Sequence, residues 1–486
     1  MTVSPPASTT ASAGHWFEKN YVPVLCALLA LAAATRVALV LGSPRSFGYV
    51  WDLYHEGVVW IYSHGRLPLS EDCLECYQPP LLFMCGVPLY ALGASVFKGG
   101  AALGLRFLTL FSIACSGVVI FYSYKTLRLL TRSRAYLLLG TALALVFPCL
   151  FIDSGGFSND VLAAALMSAF FYLFCRGRLH PARDRWREAV ALGILAGLSA
   201  LTKYTGLLAV VVAAAVMSPA VLFGRKRLRA ARDLALMISF AAAVCGWYYA
   251  RNIAHDGRLF AISPWGNRNA FVTGTSSLEQ NWQRYDFRSL EVKEAVDLYR
   301  PGNVGTLNSF PVYDSVFSSL NAQAWTDMSF FSVPSRHGWV LPHHYAEDGA
   351  DIPMLLHTPA STPREPIYPL KRVIPWLIDL VLRLGMIPTL LALAGFAATV
   401  RRRALRPFVA YGGISLAVYV RWFLAQPSWA LKTKYMLFLL PVYIVYAMLG
   451  LNFVYRRNRR LGHAAAGGLI AALVVSEAYL WMFALG

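Results

Sequence analysis

Long uninterrupted apolar runs recur along this chain, and they constrain it more than any other feature. Leu137–Phe151, Leu207–Phe223 and Leu234–Ala250 are three of twelve such blocks, the first starting near Tyr21 and the last ending near Leu485. A helix needs about 20 apolar residues to cross a bilayer. In hydrocarbon the backbone must satisfy its own hydrogen bonds, so the blocks are expected to be helices. No alternating strand pattern is present, which argues against a barrel. Only 14% of the 486 residues are charged and 57% are hydrophobic, whereas a soluble domain carries about 25% charge.

The net charge of +19 does not point to nucleic acid, because the basic residues sit in short loops between apolar blocks. One loop holds Lys125, Arg128, Arg132 and Arg134, and the next holds Arg176, Arg178, Arg183, Arg185 and Arg187. A third holds Arg225, Lys226, Arg227, Arg229 and Arg232. The last two hold Arg401, Arg402, Arg403 and Arg406, then Arg456, Arg457, Arg459 and Arg460. Together they carry half of the 44 Lys and Arg residues, and such loops face the cytoplasm.

Two apolar blocks separate consecutive basic loops, which keeps all five on one side. With a cytoplasmic N-terminus, three blocks precede the first basic loop, so one of them does not cross. Pro80–Phe97 follows a Pro-Pro pair and contains Gly86, Pro88 and Gly93; it is expected to lie along the interface. The reading is an all-α polytopic membrane protein with about eleven transmembrane helices. Residues 1–20 form a disordered tail. Residues 21–250 form a core of seven spans with an outer loop at 43–101. Residues 251–375 form a large outer loop, and 376–486 supply four further spans.

The polar residues with chemical potential fall at the outer ends. The first outer loop carries Asp52, His55 and Glu56; on a helix the two carboxylates share a face, and a carboxylate at a membrane surface can serve as a general base. Further on it reads Gly65-Arg66-Leu67-Pro68 and then Tyr77-Gln78-Pro79-Pro80-Leu81. Asp160 opens an apolar helix, where Asn and Asp also serve as caps. Lys203 lies at the next outer turn, able to bind phosphate or to snorkel to the interface. Arg251 follows Trp247, and Lys434-Tyr435 follow a late outer loop. Arg36, Lys203, Arg251, Arg421, Lys432 and Lys434 all fall near outer helix ends, where cations are disfavoured. A functional anion is the default explanation, and Arg can hold two phosphate oxygens at once.

Taken in order, these segments resemble the GT-C superfamily of membrane glycosyltransferases, in particular its protein O-mannosyltransferase and aminoarabinose transferase branch (glycosyltransferase family 39-like). Asp52, Gly65, Pro68 and Pro79-Pro80-Leu81 match the family's first outer loop, which runs into an interfacial helix. Asp160 falls where the family's second acidic residue opens the fourth span. Gly197–Gly206 matches "G-L-x-x-L-T-K-x-T-G", Trp247–Asn252 matches a segment with a Trp shortly before Arg-Asn, and Lys432, Lys434, Tyr435 and Pro441 match a late "K-x-[KR]-Y…P" segment. The likeness covers residues 20–255 well and the C-terminal third loosely. Leu53 stands where many relatives have a second acidic residue, and Gln78 where they often have a charged residue or His.

The resemblance implies a GT-C fold and an inverting transfer of a sugar from a polyprenyl-phosphate carrier to a hydroxyl. It implies Asp52 as base, with Asp160 and Glu56 assisting. Lys203 and Arg251 are implied to bind phosphate, and His55, Gln78, Lys434 and Tyr435 to line the substrate site. The partners implied are a lipid-linked sugar donor, a glycan, lipid or protein acceptor, and the membrane, with no nucleic acid. The expected place is a bacterial inner membrane with the site facing the periplasm or exterior. A divalent cation is compatible with the carboxylates but not required. A polytopic lipid or solute transporter is the alternative.

Six of the eight cysteines lie in apolar segments and are expected to be small core residues. Cys73 and Cys76 form a lone C-x-x-C in the first outer loop, suited to a local disulfide in an oxidising compartment. His337, His343 and His344, with Glu347, Asp348 and Asp351, are a further candidate metal set without standard spacing.

Overall fold

The computed structural model describes residues 19–42, 54–73, 75–179, 186–261, 324–325, 334–335, 338–339, 374–424 and 433–485. Asp52 and the His337 to Asp351 set lie outside the described residues, as do the side chains of Lys434 and Arg421. The fold is all-α, the one strand pairing among the described residues being a two-residue antiparallel contact of Pro334–Ser335 with Gly338–Trp339.

The helices are α1 (Tyr21–Gly42), α2 (Tyr54–His64), α3 (Leu81–Ala91), α4 (Gly100–Arg128), α5 (Arg134–Leu145), α6 (Pro148–Ser154) and α7 (Asn159–Leu179). After them come α8 (Trp186–Thr202), α9 (Leu208–Phe223), α10 (Arg227–Asp256), α11 (Ile374–Thr399), α12 (Arg406–Leu424), α13 (Leu440–Arg457) and α14 (Arg459–Leu485). Seven of these segments are long and apolar enough to cross a membrane: α1, α4, α7, α9 with the tight turn before it, α11, α13 and α14. The pair α5–α6 forms an eighth if it is one span, bent by 45°. Helices α8, α10 and α12, of 17, 30 and 19 residues, stand where the remaining three of eleven spans were expected. The chain is an integral membrane protein.

Pro80–Phe97 folds as α3 and a following wide turn, Leu92–Val96. At 11 residues, α3 reaches only about 17 Å, too short to cross, which agrees with an interfacial position. It packs on α2: a Cβ at Gly57 would lie 2.8 Å from the Phe83 ring, and one at Gly86 2.6 Å from Val58. Helix α2 was not read from the sequence as an element of its own.

The bundle closes on itself, with α14 packed against α1 and α13 against α4. Thr35 Oγ1 donates to Glu477 Oε1 at 2.6 Å across the α1–α14 seam. Helices α8 and α10 approach through Gly193 and Gly197, whose Cβ positions fall 2.5 Å from Met237 O and 2.8 Å from Ala241 O. Small residues four apart allow such contact between membrane helices, and Lys203 follows directly after α8. Of the six cysteines assigned to apolar segments, four are buried, Cys85 is half-buried and Cys26 is exposed; the last is a surface residue of α1 rather than a core one.

Candidate functional site

The functional end of the bundle lies opposite the basic loops and is built at three interruptions of helix. The first is the start of α7. Ser158 N–H donates to Ser112 Oγ on α4 at 3.3 Å, and Ser158 Oγ donates to Asp153 Oδ2 at 3.0 Å and accepts from Asp160 N–H at 3.2 Å. This fixes Asn159 and Asp160 in the first turn of α7, 1% and 3% exposed. The amide end of a helix favours a carboxylate there.

The second interruption follows α8. The helix stops at Thr202 because Lys203 adopts an extended backbone, φ −155° and ψ 145°, before the tight turn Tyr204–Leu207. A Cβ at Gly206 would lie 2.2 Å from the Ser199 carbonyl, so only glycine permits this reversal against α8. The turn aims Lys203 inward. Its ammonium donates to Asp160 Oδ1 in a buried ion pair, lies 3.4 Å from Asn159 Oδ1, and sits 4.2 Å over the ring of Tyr435. With Asn159 Oδ1 turned to the ammonium, its Nδ2 donates to Gln78 Oε1 at 3.3 Å; the flipped amide would set NH2 against NH3+. Asp160 Oδ2 is buried and has no hydrogen bond among the described residues.

The third interruption is the segment before α3 that delivers Gln78. Cys73 and Cys76 are joined in a disulfide, as the sequence allowed, which leaves no thiolate pair for zinc. The hydroxyls of Tyr204 and Tyr248 both donate to the Tyr77 carbonyl, at 2.7 and 3.2 Å. Burial, with Glu75 and Tyr435 adding to it, holds the Tyr77 hydroxyl well above the usual phenol range, so it stays protonated. Arg251, one turn beyond Tyr248 on α10, donates to the Pro68 carbonyl at 2.7 Å.

The structure therefore brings together Gln78, Asp160, Lys203 and Tyr435, and places Arg251 on the neighbouring wall. His55 and Glu56 sit in the first turn of α2, His55 buried at 3% exposure and Glu56 half-buried. Asn159 bridges the cluster, and Tyr204 and Tyr248 clasp its loop. All three escaped the sequence reading, which took Asn159 only for a cap. The one available signal was the adjacency of Asn159 to Asp160.

Burial pushes the His55 imidazole down to about 4, from about 6.5 in the unfolded chain. The folded protein thus refuses a proton that the unfolded chain accepts. Stability carried by neutral His55 is intact above about pH 6.5 and declines as pH falls towards 4, by about 3 kcal/mol at most. Melting of wild type and His55→Gln between pH 7 and 4.5 checks this: the wild type should lose more melting temperature than the variant.

Residues 67–273 match the model of a domain of unknown function, DUF6311. No curated protein matches the chain. Among solved structures, it is similar to the apo form of the Archaeoglobus fulgidus oligosaccharyltransferase, at 15% identity and a TM-score of 0.49, over 96% of this chain and 56% of that one. The oligosaccharyltransferase AglB of the same organism, in complex with an inhibitory peptide and a dolichol-phosphate, is similar at 14% identity and a TM-score of 0.46, over 96% and 56%. ArnT from Cupriavidus metallidurans bound to undecaprenyl phosphate is similar at 17% identity and a TM-score of 0.35, over 89% and 78%. The chain thus spans a little over half the length of the archaeal chains it resembles.

Proposed function

We propose that the chain is an inverting glycosyltransferase of the GT-C type, moving a sugar from a polyprenyl-phosphate carrier to a hydroxyl acceptor at the outer face of the membrane. One observation carries this reading. Segments that the sequence resemblance assigns to one site, around Gln78, Asp160, Lys203 and Tyr435, converge on one buried polar cluster. They do so at the end of the bundle opposite the basic loops. A cluster at a helix end, rather than on broken helices at the midplane, is not the arrangement of a transporter site.

In the proposed reaction the acceptor oxygen attacks the anomeric carbon, the bond to the carrier phosphate breaks, and polyprenyl phosphate leaves with the bonding pair. Asp52 takes the acceptor proton, and Asp160 Oδ2, with no hydrogen bond among the described residues, orients the acceptor hydroxyl. Arg251, held at the first-loop backbone, neutralises the departing phosphate, and Lys203 orients its oxygens. Because Lys203 is paired with Asp160, it presents its charge as part of a neutral pair. Such a pair positions phosphate oxygens by direction more than by net attraction. Glu56 and His55 on α2 shape the donor side, and Lys434 is assigned to substrate binding with Tyr435 by the family resemblance. Residues 21–250 act as the core, 251–375 as the cover and 376–486 as the support, in a bacterial inner membrane with the site facing outward.

Purified protein in native lipid, given a panel of radiolabelled polyprenyl-phosphate sugars and extracted acceptors, tests the reading. Wild type should consume one donor, and Asp52→Asn should lose at least a hundredfold in rate with folding unchanged, the range a missing general base implies. Transfer by Asp52→Asn at the wild-type rate removes Asp52 from the mechanism. Donor consumed by neither protein, with lipid or solute moved across vesicles, favours the transporter.

A further inference from the structure

Between Cys73 and Gln78 the first loop makes a tight turn. Cys76 N–H donates to the Cys73 carbonyl at 3.2 Å and Gln78 N–H to the Glu75 carbonyl at 3.0 Å, and the disulfide closes the turn around Glu75. Tyr77 is held at both ends. Its carbonyl accepts from Tyr204 and Tyr248, and its hydroxyl is hydrogen-bonded to the side chains of Glu75 and Gln78. Glu75 is half-buried there, a carboxylate to which the transfer mechanism gives no task.

The directions of these bonds follow from what each group can do. A carboxylate only accepts, so the phenol gives its one proton to Glu75. Gln78 Oε1 already accepts from Asn159 Nδ2 at 3.3 Å, so the Gln78 amide turns its NH2 to the Tyr77 oxygen. At the far end the Lys203 ammonium only donates, and it lies 3.4 Å from Asn159 Oδ1. Every donor in the line from Lys203 through Asn159, Gln78 and Tyr77 thus points towards Glu75. A donor-only group at one end and an acceptor-only group at the other leave the line a single sense. Bonds aligned in this way polarise one another. Gln78 and Asn159 are 9% and 1% exposed, so an amide turned the wrong way is left buried without a partner.

We infer that Glu75 is a positioning residue: by fixing the sense of the line through Tyr77, Gln78 and Asn159, it holds the Lys203 ammonium where it meets the carrier phosphate. The role rests on the transferase reading, in which Lys203 orients the phosphate oxygens. It gives Glu75 an effect of opposite sign to that of a bystander. A bystander carboxylate near a phosphate site repels the phosphate, so neutralising it tightens binding. Neutralising Glu75 instead admits the reversed sense, in which an amide NH2 competes with the Lys203 ammonium for Asn159 Oδ1.

Full-length protein in detergent, titrated with undecaprenyl phosphate and melted without it, tests the role. Glu75→Gln should weaken binding of the probe roughly threefold, part of the worth of one hydrogen bond. Gln78→Glu sets two carboxylates against one phenol proton and should lower the melting temperature. Adding Glu75→Gln to Gln78→Glu should recover most of that loss, because the phenol then turns its proton to position 78 and accepts from the amide at position 75. Equal or tighter binding of the probe by Glu75→Gln overturns the positioning role, as do melting losses of the two single variants that simply add. No binding of the probe by wild type counts against the transferase reading, and the melting cycle, which needs no donor, then decides the line by itself.

Discussion

Lys203→Met is expected to cost folded protein and sugar transfer together, whereas Lys203→Met combined with Asp160→Asn is expected to recover the first and not the second. Both partners are buried, their side chains 11% and 2% exposed. Removing the ammonium leaves the Asp160 carboxylate uncompensated, with only the α7 amide end to support it. Breaking one side of such a pair costs about 3–5 kcal/mol, a large share of the stability of an ordinary protein. Substituting both partners removes that penalty, because an amide facing a thioether leaves no charge to be solvated. If the cluster were only structural, the double variant would transfer sugar at the wild-type rate. On the proposed mechanism it is folded but at least a hundredfold slower, because both the orienting carboxylate and the phosphate contact are gone. Thermal melting of the purified variants, run beside the donor assay, separates the two effects. A double variant that is both stable and fully active would reduce the pair to architecture.

The all-α membrane architecture was legible in apolar length, and seven of the helices are long and apolar enough to cross. The charge count required one of the first three blocks not to span, its prolines and glycines singled out Pro80–Phe97, and α3 is indeed too short to cross. The site was legible in part. Asp160 and Lys203 were marked by their places at helix ends and Gln78 by the family resemblance, and they meet. What the sequence could not express is how they meet. Lys203 was read as a bare phosphate ligand, yet it is committed to Asp160, since pairing between residues 43 positions apart leaves no trace in local spacing. Asn159 was hidden for the opposite reason: its local role as a helix cap is so ordinary that it masked the bridge to Gln78.

Arg36→Met is expected to be as damaging as the loss of Lys203, though Arg36 touches nothing in the proposed site. The sequence placed this cation near an outer helix end as a candidate anion ligand; the structure instead buries it in the bundle at 6% exposure. Its guanidinium donates to Ser116 Oγ on α4 at 3.4 Å, to Ala32 O at 3.2 Å and to Leu145 O at 3.2 Å. It also lies 5.3 Å from the centre of the Phe151 ring. Leu145 is the last residue of α5, where the span bends by 45° before Pro148. As the last residue of α5, Leu145 has a carbonyl beyond the regular intrahelical ladder, and hydrocarbon offers no water in exchange. Arg36 satisfies that carbonyl and so holds the bend, and α6 beyond the bend leads into the turn that carries Asn159 and Asp160. Glu477, bound by Thr35, supplies the neighbouring negative charge. Arg36→Met therefore leaves an orphaned carbonyl and an unbalanced carboxylate, a loss of about 3–5 kcal/mol. Arg36→Lys should rescue it poorly, since one ammonium cannot span three acceptors set around a planar fork. Adding Glu477→Gln to Arg36→Met should recover the charge term but not the bend. The recovered protein should then melt within a few degrees of wild type while transferring sugar more slowly. If its transfer rate matches that of wild type, the bend does not position the site.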